Sequence, residues 1–247
     1  MAFTAPASSS RIPTRIARAV AAPLSRSEPI YRLIVFDLDG TLVDSFGDLA
    51  AAVNAALGHN GLGELPTETI VGFSGNGARL LVARSVEVLA PESPAERIDD
   101  VLASFQSYYR NHCLDRTRFY PGVEAAIREL TARGAQMAVL TNKPRGFSDD
   151  ILAGLGVADS FSAVIGGDDL ATRKPDPEGL LQLVAHAACA PSDVVLVGDS
   201  IVDIATALSA DVDSCGVGWG FSDAETLRTA GATRIVSRPE EIVALAR

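Results

Sequence analysis

The stretch that decides the fold is Leu33-Ile34-Val35-Phe36-Asp37-Leu38-Asp39-Gly40-Thr41. Its first four residues form a short continuous apolar run, which is typical of a strand buried on both faces of a parallel sheet. The run stops abruptly at two acids that are one residue apart. Gly40 permits a tight exit that leaves both acids at the rim of the sheet. The stretch therefore predicts a buried parallel strand that ends in a polar site.

The rest of the chain shows two kinds of hydrophobic periodicity. In its second half, short apolar strands alternate with helices, which indicates a parallel sheet covered on both faces. Between residues 46 and 118, apolar residues recur at helical spacing without a convincing strand. We therefore predict an α/β fold with a Rossmann-like parallel sheet core (residues 31–45 and 119–247) and an inserted all-helical cap domain (residues 46–118).

Composition and charge exclude several classes of function. The chain has 247 residues and a formal net charge of -10. This acidic balance argues against a nucleic-acid partner, because such proteins need cations to displace phosphate counterions. No apolar run is long enough to cross a bilayer, so a membrane partner is not expected either. We expect a monomer or a homodimer.

The N-terminal residues and the cysteines bear on location. Residues 1–30 are rich in Arg and Ser and carry a single acid, Glu28. We predict a disordered extension there, and an organellar targeting peptide is the alternative. The three cysteines are an odd number without CxxC spacing, which favours a reducing compartment. The expected location is the cytoplasm.

Polar residues follow four predicted strands at the edge where parallel sheets bind ligands. They are Asp37, Asp39 and Thr41 after the first strand, Thr141, Asn142 and Lys143 after the second, Lys174 after the third, and Asp199, Ser200 and Asp203 after the fourth. Acids this close repel each other unless a cation intervenes. Oxygen ligands that are completed by a substrate phosphate favour Mg²⁺. The pattern predicts a Mg²⁺ site for phosphoryl transfer, with a small phosphorylated metabolite as the partner.

These same residues resemble the four motifs of the haloacid dehalogenase-like hydrolase superfamily. The matching stretches are Asp37-Leu38-Asp39-Gly40-Thr41-Leu42-Val43-Asp44-Ser45, Thr141-Asn142-Lys143, Lys174-Pro175 and Gly198-Asp199-Ser200-Ile201-Val202-Asp203. The resemblance runs from Tyr31 to the C-terminus. It implies that Asp37 is a nucleophile that forms an aspartyl-phosphate. It also implies that Asp39 protonates the leaving group and later activates water.

The resemblance also implies how the phosphate and the metal are held. Thr141 and Asn142 would hold the phosphoryl group, and Lys174 would bridge the phosphate and the nucleophile. The implied Mg²⁺ ligands are Asp37, Asp39 through its main-chain carbonyl, and Asp199. Asp203, one helical turn after Asp199, is expected to support this site without binding the ion directly.

Further features narrow the reaction within the superfamily. The acid at position 39 favours phosphate esters over dehalogenation. The absence of any Lys between Arg32 and Met137 disfavours phosphonate hydrolases, which use a lysine of the cap.

Four stretches resemble phosphoglycolate phosphatases: Gly75-Asn76-Gly77-Ala78, Tyr120-Pro121-Gly122-Val123, Thr141-Asn142-Lys143-Pro144 and Val164-Ile165-Gly166-Gly167-Asp168-Asp169-Leu170. We expect Gly75, Asn76 and Gly77 to bind substrate through main-chain N–H groups, and the alternative is a plain turn between cap helices. The expected function is a Mg²⁺-dependent phosphatase acting on 2-phosphoglycolate. The alternatives are a phosphohexomutase-type isomerase, a sugar-phosphate or pyrophosphate phosphatase, and a receiver-like switch phosphorylated on Asp37.

Overall fold

A six-stranded sheet forms the centre of the molecule. The computed structural model describes residues 31–246, and the predicted extension of residues 1–30 lies outside them. The described residues contain eight strands, of which β2 and β3 form a separate pair and the other six form this sheet. The eight strands are β1 (Leu33–Phe36), β2 (Val43–Asp44), β3 (Arg118–Phe119), β4 (Gln136–Leu140), β5 (Ala163–Ile165), β6 (Val194–Gly198), β7 (Asp213–Val217) and β8 (Arg234–Val236). The sheet has the order β5-β4-β1-β6-β7-β8, and all neighbouring strands are parallel. The predicted α/β fold with a Rossmann-like parallel core is confirmed.

Strand β1 is buried on both faces, as its apolar run predicts. Successive side chains of a strand point to opposite faces of the sheet. Ile34 and Phe36 accordingly belong to one hydrophobic core, and Leu33 and Val35 to the other. Because β1 pairs with both β4 and β6, Asp37 emerges near the middle of the sheet edge.

Nine α-helices and three short 3-10 helices accompany the strands within residues 31–246. The α-helices are α1 (Phe46–His59), α2 (Thr67–Val71), α3 (Ala78–Leu89), α4 (Ala95–His112), α5 (Val123–Ala132), α6 (Arg145–Gly154), α7 (Glu178–His186), α8 (Ile201–Ser209) and α9 (Ala224–Thr229). Helix α5 packs on one face of the sheet through Val123, Ile127 and Leu130. Helix α7 packs on the other face through Leu180 and Leu183. Each of these nine helices is too short or too polar to cross a bilayer.

Helices α1 to α4 follow one another without an intervening strand, and we call this part of the chain the helical segment (residues 46–112). A short antiparallel pair flanks it, in which Val43 of β2 faces Phe119 of β3. The sequence does not predict this pair, because two residues are too few to show a strand period. The pair brings the chain that enters the helical segment beside the chain that leaves it.

Asp48 ties the two ends of the helical segment together. This α1 side chain is only 2% exposed. Its carboxylate accepts the main-chain N–H of Arg116 at 3.0 Å, and it accepts both the N–H and the hydroxyl of Thr117 at 2.8 Å. A buried carboxylate that accepts several donors holds them more strongly than a neutral acceptor does. Asp48 therefore fixes where the chain returns from α4 to the sheet.

Replacing Asp48 with Asn is expected to lower the free energy of unfolding by about 2–3 kcal/mol, because hydrogen bonds to a charged acceptor are lost and an amide N–H faces main-chain donors. Denaturant unfolding followed by circular dichroism measures this change. Asp44→Asn is the matched control, since Asp44 is exposed and accepts a single N–H at 3.3 Å. Equal effects of the two substitutions would contradict the assignment.

Candidate active site

A cavity of about 390 Å³ lies between the C-terminal edge of the sheet and the helical segment. The sheet side contributes Asp37, Asp39, Thr141, Asn142, Lys143 and Asp199, and the helical segment contributes Gly75, Asn76, Gly77, Arg84, Phe105 and Tyr109. Residues from β1, β4 and β6 meet here because parallel strands present their carboxyl ends at one edge. The structure thus brings most of the sequence-predicted site residues around one cavity, with Lys174 and Asp203 buried beside it.

Asp37 lies at the end of β1 in contact with Lys174. The Lys174 Nζ is 2.9 Å from Asp37 Oδ1, and the main-chain N–H of Leu38 donates to the same oxygen at 2.7 Å. Burial raises the pKa of Asp37 to about 7, with Asp203 and Asp199 adding to the rise and Lys174 opposing it. The carboxyl group is fixed in one orientation and borders the cavity, as a nucleophile requires.

Asp199 follows β6 and is held by two donors. Thr41 Oγ1 donates to Asp199 Oδ1 at 3.1 Å, and the main-chain N–H of Phe221 donates to Oδ2 at 2.7 Å. Glycines make room for it, since a Cβ at Gly40 or Gly220 would lie 2.2 Å from an Asp199 side-chain atom. Burial, and next the neighbouring Asp203, raise the pKa of Asp199 to about 6.

Asp203 lies on α8 behind Asp37 and Asp199, and it is fully buried. Its Oδ1 is 2.6 Å from Lys174 Nζ, while its Oδ2 accepts the hydroxyl of Ser200 at 2.6 Å and the Ser200 N–H at 3.1 Å. The two residues form a capping box that starts α8. Burial disfavours the Lys174 ammonium, but Asp203 and Asp37 outweigh burial and raise its pKa above the usual value.

Three acidic residues lie close enough together to attract a divalent cation; Asp37 and Asp199 border the cavity, while Asp203 is already bound by Lys174 and Ser200. Carboxylate oxygens of Asp37, Asp199 and Asp203 all lie within 4.8 Å of one another. The site as a whole contains these three carboxylates and Asp39 against the ammonium groups of Lys143 and Lys174, which leaves two negative charges unbalanced. Oxygen donors with a surplus of two negative charges match Mg²⁺ chemistry.

The raised pKa values predict how metal binding depends on pH. Between pH 3.8, the ordinary pKa of Asp, and about 7, folded metal-free protein holds protons that the unfolded chain has lost. The stability of the metal-free protein therefore falls as pH rises through this window. Because Mg²⁺ competes with those protons, we expect it to raise the melting temperature more at about pH 8 than at about pH 5.

Differential scanning fluorimetry in EDTA and in MgCl₂ measures these shifts. Asp199→Asn is the control, because it removes one carboxylate of the set and is expected to reduce the Mg²⁺-induced shift at the higher pH. An equal Mg²⁺ effect at both pH values would argue against these carboxylates as the binding site.

The carboxylate of Asp39 lies apart from the set of three. Lys143 Nζ contacts its Oδ1 at 3.0 Å and its Oδ2 at 3.1 Å, and the Ser45 hydroxyl also donates to Oδ1. The metal contact predicted for this residue uses its main-chain carbonyl, and that oxygen accepts no hydrogen bond from other residues between 31 and 246.

Thr141 and Asn142 both border the cavity at the end of β4. Thr141 Oγ1 accepts the N–H of Lys143 at 3.2 Å, so its own hydroxyl proton is available to a ligand. The Asn142 amide differs, because its Nδ2 donates to the carbonyls of Gly75 and Lys174, each at 3.0 Å. Both side-chain N–H groups are thus engaged, and Asn142 links the helical segment to the Lys174 loop.

The glycine loop (residues 75–77) lies on the cavity wall at the start of α3. Gly75 and Gly77 have φ angles of 92° and 87°, which residues other than glycine rarely adopt. A Cβ at Gly77 would also lie 2.9 Å from Arg173 Nη1 and 3.3 Å from the Asn142 carbonyl. The loop therefore approaches the sheet edge closely, with main-chain atoms next to the site.

Three residues that contact the predicted site residues are not predicted from the sequence: Tyr109, Ser45 and Phe221. Tyr109 accepts a hydrogen bond from Lys143 at 2.8 Å. Ser45 ends the motif that begins at Asp37, but the motif does not indicate its contact with Asp39. Phe221 acts through its main-chain N–H, which no side-chain pattern reveals. Tyr109 occupies an apolar position of α4, so only its hydroxyl group distinguishes it in the sequence from the core residues around it.

Comparison with known proteins identifies the family. The model of the haloacid dehalogenase-like hydrolases matches residues 34–217. A phosphoglycolate phosphatase of Psychrobacter arcticus is 39% identical over 206 residues, which cover 82% of this chain and 90% of that protein. One from Cereibacter sphaeroides is 45% identical over 178 residues, which cover 72% of this chain and 80% of that protein.

A solved structure agrees with these relatives. The crystal structure of a predicted phosphoglycolate phosphatase from Haemophilus somnus has a TM-score of 0.82 and 31% sequence identity, and the match covers 86% of this chain and 96% of that chain. With the sheet, the motifs and the family match in agreement, the chain belongs to the haloacid dehalogenase-like hydrolases and is a phosphoglycolate phosphatase-like enzyme of the phosphoric monoester hydrolase class.

Proposed function

We propose that this enzyme is a Mg²⁺-dependent phosphatase that hydrolyses 2-phosphoglycolate through an aspartyl-phosphate on Asp37. The observation that carries the proposal is the contact of Asp37 Oδ1 with Lys174 Nζ at 2.9 Å, at the wall of a cavity that also contains Asp39 and Thr141. A buried lysine beside the nucleophile can neutralise charge on an incoming phosphoryl group. The named activity of the curated relatives supports the choice of substrate.

Each residue of the site has a role in this proposal. Asp37 attacks phosphorus, and Asp39 protonates the departing ester oxygen. Asp39 then accepts a proton from the water that hydrolyses the aspartyl-phosphate, so the acid is restored. The hydroxyl of Thr141 donates to a phosphoryl oxygen, and Lys174 bridges that group and Asp37.

The Asn142 amide, whose two N–H groups bind carbonyls of the protein, keeps the glycine loop and the Lys174 loop next to the phosphoryl group. To donate to phosphate, as the resemblance implies, this side chain would release one of those carbonyls.

Asp37, Asp199 and the Asp39 carbonyl would hold Mg²⁺, which would supply positive charge to the phosphoryl oxygens. Asp203 would hold the Lys174 ammonium in its position next to the ion through the contact of its Oδ1 with Lys174 Nζ.

The helical segment is proposed to act as a cap domain, within residues 46–118, that covers the substrate. Gly75, Asn76 and Gly77 would bind the carboxylate of 2-phosphoglycolate with main-chain N–H groups. Closure of the cap would exclude water other than the attacking molecule. We further propose a cytoplasmic location, which is compatible with three free cysteines among the described residues.

A second candidate substrate is a sugar phosphate. The cavity volume of about 390 Å³ falls in the range of pockets that bind drug-sized ligands, which is more than a two-carbon ester requires. A phosphohexomutase-type isomerase would use the same two acids, but it would convert a sugar phosphate without releasing phosphate.

A phosphate-release panel tests these candidates. The panel contains 2-phosphoglycolate, hexose phosphates, nucleoside monophosphates and pyrophosphate, each with Mg²⁺ or EDTA, and wild-type enzyme is compared with Asp37→Asn. The proposal expects the highest kcat/KM for 2-phosphoglycolate, with Mg²⁺ only. Preference for a hexose phosphate supports the second candidate, and isomerisation of a sugar phosphate without phosphate release supports the isomerase.

A further inference from the structure

We propose that Lys143 is a positioning residue for Asp39, and that Tyr109 makes this positioning depend on contact between the helical segment and the sheet. This inference rests on the function proposed above, in which Asp39 moves the protons of the reaction. The contacts that support it belong to Lys143, a residue that none of the proposed chemical steps uses.

Lys143 binds the Asp39 carboxylate from a buried position. Its side chain is 4% exposed and that of Asp39 is 20% exposed. The ammonium contacts both carboxylate oxygens, at 3.0 and 3.1 Å. The ammonium holds the carboxyl group through both of its oxygens, and the Ser45 hydroxyl, which donates to Oδ1 alone, opposes rotation about the Cβ–Cγ bond.

The two Asp39 oxygens differ in their remaining contacts. Oδ1 accepts from Lys143 and from the Ser45 hydroxyl, whereas Oδ2 accepts from Lys143 alone among residues 31–246. Oδ1 is thus the anchored oxygen, and Oδ2 is the oxygen with capacity for a further proton. We assign both proton transfers to Oδ2. In the first, Oδ2 gives its proton to the ester oxygen as the P–O bond breaks. It later takes a proton from the water that attacks phosphorus.

Tyr109 connects this arrangement to the helical segment. Lys143 Nζ donates to the Tyr109 hydroxyl at 2.8 Å and lies 4.7 Å from the centroid of its ring. The ring is itself fixed by stacking on Phe105 at 5.4 Å and by an edge contact with Phe147 at 5.1 Å. Because Tyr109 and Phe105 belong to α4 while Phe147 belongs to α6, the Tyr109 contact with the ammonium depends on how the helical segment packs against the sheet.

The composition of the chain supports a specific use of lysine here. Lys143 and Lys174 are the only two lysines in 247 residues, and the remaining 19 of the 21 Lys and Arg residues are arginines. Both lysines are buried, and each contacts an aspartate that follows β1. A compact ammonium fits between two oxygens and a phenol, whereas a planar guanidinium would need a wider space.

The test separates bond cleavage that needs an acid from cleavage that does not. An alkyl phosphate has a poor leaving group that must be protonated, while p-nitrophenyl phosphate releases an acidic phenol that leaves without help. The kcat/KM for 2-phosphoglycolate, an alkyl phosphate, and that for p-nitrophenyl phosphate are measured for each protein. The proteins are wild type, Lys143→Met, Lys143→Arg, Tyr109→Phe, Asp39→Asn and the Asp39→Asn/Lys143→Met double variant. Asp37→Asn is the reference for loss of the nucleophile.

We expect Lys143→Met to lower kcat/KM for 2-phosphoglycolate by about 10²-fold or more, the usual size of general acid catalysis, and to change that for p-nitrophenyl phosphate far less. Tyr109→Phe is expected to give a smaller loss of the same kind. Lys143→Arg should restore only part of the activity. The double variant should be no slower than Asp39→Asn alone, because both changes remove one function.

Nuclear magnetic resonance gives a readout besides activity. Protein labelled with ¹³C and ¹⁵N in lysine contains two labelled side chains, and Lys143→Arg assigns their signals. We expect Tyr109→Phe and Asp39→Asn to shift the Lys143 signal and to leave the Lys174 signal nearly unchanged. If Lys143→Met does not fold, the kcat/KM comparison and the lysine signals are measured for Tyr109→Phe and Lys143→Arg instead.

Equal losses for the two substrates, or additive losses in the double variant, would overturn the positioning role of Lys143. A Tyr109→Phe protein with an unshifted Lys143 signal would overturn the role of Tyr109. These failures differ from a failure of the proposed function, which would appear as full turnover by Asp37→Asn.

Discussion

The Asp37→Asn enzyme is expected to lose at least about 10⁴-fold in kcat for every phosphate ester, as enzymes do when their nucleophile is removed. The amide nitrogen of Asn is not a nucleophile, and the remaining oxygen is too weak to attack phosphorus. Asn also keeps the size of Asp, so the contacts to Leu38 and Lys174 can be made by the side-chain oxygen. The loss would therefore reflect chemistry and not packing.

Purified protein, a continuous phosphate assay and mass spectrometry measure this result. Wild-type enzyme quenched in acid during turnover should carry one phosphoryl group, and Asp37→Asn should carry none. The matched control is Asp44→Asn, which changes an exposed acid of the same motif and should keep most of the activity. Turnover by Asp37→Asn close to that of wild type would remove Asp37 from the mechanism.

The strands that carry the site could be predicted because each shows a strong local pattern. The apolar run of β1 and the acids that follow it appear in the structure as a buried strand with Asp37 at its end. The helical spacing predicted between residues 46 and 118 appears as the four helices α1 to α4. Such features depend on neighbours in sequence, so periodicity and turn chemistry indicate them.

The contacts that complete the site could not be predicted, because they join residues that are far apart in sequence. Tyr109 reaches Lys143 from α4, and the Phe221 N–H reaches Asp199 across 22 positions. The engagement of the Asn142 amide with Gly75 depends on how the helical segment packs on the sheet. Periodicity gives the type of an element, but it does not give the distance between two elements.

Lys174→Met is expected to lower the free energy of unfolding by about 3–5 kcal/mol and kcat by about 10²–10³-fold. The Lys174 side chain is 2% exposed and lies 2.9 Å from Asp37 and 2.6 Å from Asp203. Met fills a similar volume but carries no charge, so two buried carboxylates would lose their cation. Catalysis would lose the positive charge that faces the phosphoryl group.

The cost to stability arises from uncompensated charge, and a compensating change can show this. Removing the Asp203 charge in Lys174→Met/Asp203→Asn should recover part of the stability lost in Lys174→Met, while the activity stays low. Unfolding measured in EDTA and in MgCl₂ adds a second comparison, since Mg²⁺ near the same carboxylates should replace part of the missing charge. Arg32→Met is the control, because its contact with Asp193 at 3.9 Å lies on the surface and contributes little. If Lys174→Met were as stable and as active as Arg32→Met, the ion pairs around Lys174 would not support either the fold or the reaction.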